Sequence, residues 1–141
     1  MGTVRPGRIL AVDYGSKNIG LATCDELGVA VRPLPSFPNR GRRDLLAHLK
    51  SEALQGTVVE IVVGLPRNMN GSEGPAAARV RRLIADLARE LGLAVRGVDE
   101  RLSTVEATEI WRRLSPRRQR ACRTVDSLAA ALILERFLKG E

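Results

Sequence analysis

Thr57-Val-Val-Glu-Ile-Val-Val63 is β-branched and almost wholly apolar, with no room for helical periodicity. A run like this reads as an interior strand covered on both faces, which is how parallel sheets are built. Its sequel agrees. Gly64 to Gly74 is a Gly/Asn-rich loop, and Pro75 suits the first position of a helix. Val80, Leu83, Ile84, Leu87 and Leu91 then share one helical face, and Gly92 closes it. Leu93 to Val98 is a second short strand. Strand, helix and strand in that order predict a right-handed parallel crossover, and so an α/β chain.

The segment before this unit reads as a meander. Ile9 to Val12 is an apolar strand that runs into Asp13, and Gly15-Ser-Lys-Asn18 is hairpin punctuation before the apolar run Ile19 to Ala22. Val29 to Phe37 predicts a third strand, which Pro33 and Pro35 demote to an edge. Arg42 to Gln55 carries Leu45, Leu46, Leu49 and Ala53 on one side and reads as a helix ending at Gly56. After the last strand, Ser103-x-x-Glu106 is a capping-box pattern, and Ala107, Ile110, Trp111 and Leu114 give the next helix its stripe. Ser115 to Arg123 is expected to be a mobile basic loop. Thr124 to Leu138 is a helix with no charge between Asp126 and Glu135, so it should be buried. The expected fold is a mixed five-stranded sheet, an antiparallel meander followed by parallel strands, with helices on both faces. Residues 1–141 are expected to form a single domain, with 1–7 a flexible N-terminus.

Composition narrows the function classes. The chain holds 20 Arg and 3 Lys against 16 acids, for a net charge of +7. The arginines cluster at 40–43, 79–82 and 112–123. Codon bias would explain their number; the clustering suggests phosphate, which guanidinium binds in bidentate fashion, and hence a nucleic-acid partner. No eighteen-residue apolar run occurs, so no membrane span is expected. Met1 to Gly7 has no apolar segment behind Arg5, so a cytoplasmic address is expected. Cys24 and Cys122 fit neither a metal spacing nor a disulfide framework. The single histidine, His48, lies in a predicted helix, which argues against histidine-based metal or Ser-His chemistry.

Three acids stand out. Asp13 ends the first strand and Glu100 follows the last one. In an open α/β sheet the carboxyl ends of parallel strands line the ligand crevice. Asp126 lies in the first turn of the apolar last helix, on the face of Ala130, Ile133 and Phe137. Carboxylates meeting without His or Cys suit hard cations such as Mg²⁺ or Mn²⁺. Two such ions roughly 3.5–4 Å apart suit phosphodiester cleavage. Bland alternatives stand beside each: Asp13 as a turn former, Asp126 as a helix-dipole partner, and Glu100 paired to Arg101 or Arg96. Asp99 competes with Glu100 for the same role. Lys17 and Arg101 orient phosphate or are merely solvated, and Ser103 and Thr104 are caps.

Four segments together resemble the YqgF/RuvX family: Asp13-Tyr-Gly-Ser-Lys-Asn-Ile-Gly20, Val63-Gly-Leu-Pro-Arg-Asn-Met-Asn-Gly71, Val98-Asp-Glu-Arg-Leu-Ser-Thr104 with Glu106 and Ala107, and Val125-Asp-Ser-Leu-Ala-Ala-Ala131. They cover the chain from about Arg8 to Leu138. The resemblance implies a ribonuclease H-like fold and a nuclease, either a processor of the pre-16S rRNA 5′ end or a Holliday junction resolvase. It also implies that Asp13, Glu100 and Asp126 are catalytic metal ligands, which favours Glu100 over Asp99. Asn18, Arg67, Asn70 and Ser103 depart from the usual family pattern. They touch none of the three acids and bear only on substrate contact.

The expectation is therefore a divalent-metal-dependent nuclease, a monomer or homodimer acting on pre-ribosomal RNA or branched DNA. Lys17, Arg67, Arg101, Arg117, Arg118, Arg120 and Arg123 are the candidate nucleic-acid contacts. The rivals are a non-catalytic nucleic-acid-binding module of ribosome maturation or transcription, and an ATPase of the actin/sugar-kinase type. Chain length opposes the latter.

Overall fold

Side chains alternate in size along the strands, and the two faces of the sheet are built differently as a result. The computed structural model describes residues 7–100 and 103–140, the side chains of Ser103 and Thr104 excepted. Five strands form one sheet: β1 (Arg8–Tyr14), β2 (Asn18–Cys24), β3 (Val31–Pro38), β4 (Val58–Leu65) and β5 (Ala94–Asp99). Their order is β3-β2-β1-β4-β5. The first three pair antiparallel; β1, β4 and β5 run parallel. The mixed sheet of the expectation is observed, with β3 on the edge its prolines require.

Leu10, Val12, Ile19, Leu21, Ile61 and Val63 fill one face. They pack against α1 (Arg42–Gln55) and α2 (Pro75–Leu91), which contribute Leu45, Leu49, Val80, Leu83 and Leu87. Fully burying each such side chain stabilises by about 1.5–3 kcal/mol. His48 lies on α1 as expected, stacked on Phe37 with ring centroids 4.0 Å apart.

The opposite face presents Ala11, Gly20, Ala22, Val62 and Gly64, the alternate positions of the same strands. Small residues here let α5 (Val125–Leu138) lie close along the sheet. Its Ala130, Ala131, Ile133 and Leu134 are buried against Ala11, Ala22 and Val62. This close approach brings the start of α5 to the sheet. α3 (Ser103–Arg113) packs on the outside of α5, around Ala107, Leu128 and Ala129.

One expectation fails. Ser115 to Arg123 is not a loop: Pro116–Cys122 form a short helix, α4. It has no apolar stripe to announce it. Its ends are made locally instead. Ser115 caps it by accepting from the Arg118 N–H at 3.3 Å, and Pro116 supplies a preset first residue. Gln119 Nε2 donates to the Trp111 carbonyl at 2.8 Å and ties it to α3. Among the described residues no helix is long and apolar enough to cross a membrane. The expected flexible N-terminus, apart from Gly7, lies outside the described residues.

Candidate active site

The carboxyl ends of β1, β4 and β5 lie side by side because these strands are parallel neighbours. Asp13 stands opposite Gly20 in the β1–β2 ladder and is 9% exposed. By alternation it points to the α5 face, as Ala11 does. Glu100 follows β5, and its N–H donates to the Leu65 carbonyl at 3.2 Å, extending the pairing one residue past Asp99. Glu100 therefore shares the α5 face with Val98, while Asp99 turns away. Arg67 lies 4.0 Å from the Asp99 carboxylate.

Asp13 and Glu100 meet in a hydrogen bond between their carboxyls. Two glycines make that meeting possible. A Cβ on Gly64 would fall on Glu100 Oε2 and on Ile133 Cδ1, closer than real side chains approach. A Cβ on Gly20 would fall on the Asp126 carbonyl oxygen. The backbone of α5 thus rests on β2 directly across from Asp13. Thr124 Oγ1 accepts from the Ser127 N–H at 3.0 Å, and the buried Ser127 Oγ donates to the Leu34 carbonyl at 2.5 Å. These bonds pin the first turn of α5, which carries the half-buried Asp126.

The electrostatics follow from this packing. Burial pushes the Asp13 carboxyl up to about 6; the bond from Glu100 pulls it down and the Asp126 charge pushes it further up. Burial also drives Glu100 up to about 8, and the charge and hydrogen bond of Asp13 add to it, followed by the charge of Asp99. At neutral pH the pair therefore holds one proton, with the Glu100 O–H donating to Asp13. In the doubly ionised pair neither group has a proton to give, and Glu100 Oε2 is left buried without a hydrogen-bond donor.

That orphaned oxygen tests the fit of a cation. Among the described residues no three Asp, Glu, His or Cys side chains close into a ready-made metal cage. The donor set nevertheless fits a hard cation. It is all oxygen, and one oxygen lacks a partner. Two buried like charges need such a counter-charge to ionise together.

The basic residues divide. Lys17 is exposed in the β1–β2 turn, where its carbonyl accepts from the Asn39 N–H at 2.8 Å. Arg67 sits in an ordered loop and pairs with Glu73 at 3.6 Å as well as with Asp99. This engagement explains how an arginine is accommodated at that position. Arg101 lies outside the described residues. Arg117, Arg118 and Arg120 are exposed on α4, and Arg123 is exposed in the link to α5 with φ 73°. By contrast, Arg42 pairs with Asp86 and Arg81 with Glu73. Sequence reasoning missed the close approach of Gly64 to Glu100 and the bond that Ser127 makes to the Leu34 carbonyl. A glycine two residues past the middle of a β-branched strand, and a serine inside an apolar helix, were the available signals.

A family model described as "RuvX: Holliday junction resolvase" matches residues 7–140. The chain belongs to the RuvX family. Among curated relatives in that family, a "Putative pre-16S rRNA nuclease" of Streptomyces coelicolor is 39% identical over 139 residues, covering 98% of this chain and 83% of its own. One of the same name from Moorella thermoacetica is 42% identical over 131 residues, covering 93% and 94%. Solved structures show the ribonuclease H-like fold of RuvC-like resolvases. Fowlpox virus resolvase with its Holliday junction DNA matches at TM-score 0.58 and 10% identity, over 94% of this chain and 97% of that one. Thermus thermophilus RuvC with a Holliday junction substrate matches at 0.52 and 14%, over 90% and 91%.

Proposed function

We propose that this chain is a divalent-metal-dependent nuclease that processes the 5′ end of pre-16S rRNA. The observation that carries the reading is the pairing of buried Asp13 with half-buried Glu100, with the Asp126 charge beside it, at the carboxyl ends of parallel strands. The names of the curated relatives supply the substrate. Asp13, Glu100 and Asp126 would hold Mg²⁺ or Mn²⁺, in a two-metal site if all three serve. When bound, such ions supply Lewis acidity that activates water and stabilises a leaving oxygen.

The chain's own residues do the rest. Asp13 and Glu100 are fixed by strand pairing, so their oxygens are preorganised. Gly20 and Gly64 let the α5 backbone and the Glu100 carboxylate close on the sheet, which brings the acids together. The start of α5 holds Asp126 with its helix N-terminus turned toward the anionic site, a favourable dipole for negative charge. Lys17, Arg101 and the α4 arginines grip neighbouring phosphates. Arg67 serves the substrate less directly, through its ion pairs with the loop and Asp99.

The description of the family model favours a second reading, cleavage of four-way DNA junctions. One experiment separates the two. Purified chain is incubated with Mg²⁺ or Mn²⁺ and either a pre-16S 5′ segment or a four-way junction. Metal-dependent cleavage of the RNA, abolished by Asp13→Asn, is expected. Cleavage of the junction alone moves the assignment to the second reading, and cleavage that survives Asp13→Asn removes the site.

A further inference from the structure

The segment between Glu109 and Asp126 carries six arginines and no acid. Within it lies a cleft of about 230 Å³ that opens to solvent, lined by Trp111, Pro116, Gln119, Arg120 and Arg123. Trp111 is half-buried, packed with Ile110, Cys122 and Val125 around Ala107, Leu128 and Ala129. Trp111 therefore both packs on this cluster and lines the cleft. The Gln119 amide is fixed in the wall by its bond to the Trp111 carbonyl. Among the described residues neither Arg120 nor Arg123 has a carboxylate partner, unlike Arg112, which pairs with Glu109 at 3.8 Å. Only Thr124 and Val125 separate Arg123 from Asp126, a span of at most about 11 Å.

A rigid indole beside free guanidinium groups in an open cleft is the chemistry that takes an unpaired nucleobase and its phosphates. A base inside a duplex cannot present its face to such a ring. We propose that this cleft is a subsite for a single unpaired nucleotide next to the cleaved phosphodiester, stacked on Trp111 and held by Arg120 and Arg123. The subsite makes the chain select unpaired or splayed nucleic acid over continuous duplex. The proposal rests on the nuclease reading for its place in the reaction, and its test does not.

Trp111 is the only tryptophan in the chain, so its fluorescence reports the cleft alone. Wild-type chain in EDTA, which prevents metal-dependent cleavage, is titrated with single-stranded oligouridylate and with an RNA duplex of equal length. Binding is followed in parallel by anisotropy of a labelled strand. The single strand is expected to quench Trp111 at saturation and the duplex to leave it unchanged. Trp111→Leu should weaken single-strand binding about ten-fold and leave duplex binding unaltered. Trp111→Phe, which keeps an aromatic ring and guards against a folding defect, should retain most of it. Arg120→Gln should lower the slope of log affinity against log salt by about one. Saturated binding without quenching overturns the subsite, as does equal quenching by duplex or undiminished single-strand binding by a folded Trp111→Leu chain. Failure of the cleavage assay with quenching intact would remove the nuclease reading and leave the subsite standing.

Discussion

No side chain fits on Gly64 while Glu100 holds its place, because a Cβ there would land on Glu100 Oε2. The strand register that pairs Gly64 with Val98 brings the two together. The neighbour on the other side is Ile133 Cδ1, in the packed underside of α5, so there is little room to yield. Gly64→Ala should therefore push the carboxylate out of its position. The expected result is a stability loss of about 1–3 kcal/mol, read by urea unfolding, and a larger fall in Mn²⁺ affinity, read by calorimetry. Wild-type Mn²⁺ affinity in a folded Gly64→Ala chain would show that Glu100 is not a ligand.

The proton shared by Asp13 and Glu100 makes the metal-free fold sensitive to alkali. The ordinary values of the two groups are 3.8 and 4.5, and in the folded chain they rise to about 6 and about 8. The folded state therefore binds more protons than the unfolded state across that window, and stability falls as pH rises through it. Their contribution is complete below about pH 4 and lost by the time pH passes about 8. Asp13→Asn removes one charge of the pair and gives Glu100 a donor. In EDTA at pH 8.5 it should raise stability by on the order of 1 kcal/mol, and at pH 5 the gain should shrink or vanish. Thermal melts at the two pH values decide this; an equal effect at both would mean the carboxyls do not interact.

The parts of this fold that were legible in the sequence are those with long periodic signals. The β4 run and the α2 stripe fixed an α/β crossover because strand and helix periods differ and each had enough residues to show it. Asp13 and Glu100 were readable because an acid at the carboxyl end of an apolar strand has no use in a core. Strand phase could not separate Glu100 from Asp99, since one residue of slip exchanges the faces, and the preference for Glu100 rested on the family resemblance. The roles of Gly64 and Gly20 were harder still. They depend on which backbone lies across the sheet, and that is decided by tertiary packing. α4 was missed because Pro116–Cys122 has no apolar stripe to read; its helix rests on one cap, one proline and one side-chain bond to α3.

Gly20 offers a test of Asp126 that leaves all three acids in place. Its Cβ would strike the Asp126 carbonyl and the Ser127 N–H, which are backbone and cannot rotate away. Gly20→Ala should lift the first turn of α5 from β2 and strain the bond from Ser127 Oγ to the Leu34 carbonyl. A loss of about 1–3 kcal/mol is expected from overpacking. Metal-dependent cleavage should fall further than this stability loss accounts for when assayed well below the melting temperature. Full activity in the folded variant would mean that the position of Asp126 does not matter to the reaction.

Ser115→Ala separates substrate grip from chemistry. The Ser115 side chain caps α4, whereas the three acids are carried by β1, the residue after β5, and α5. Loss of such a cap costs about 0.5–2 kcal/mol, felt mainly by the helix it starts. A seven-residue helix has few other bonds to hold it, so α4 should fray and scatter Arg117, Arg118 and Arg120. Nucleic-acid affinity should then drop several-fold, with a shallower salt dependence, because fewer phosphates are neutralised at once. Mn²⁺ affinity should stay at the wild-type value. Oligonucleotide binding at two salt concentrations, beside Mn²⁺ calorimetry, reads both. If the two affinities fell together, α4 would be part of the fold that supports the acids, and its arginines could not be assigned to substrate alone.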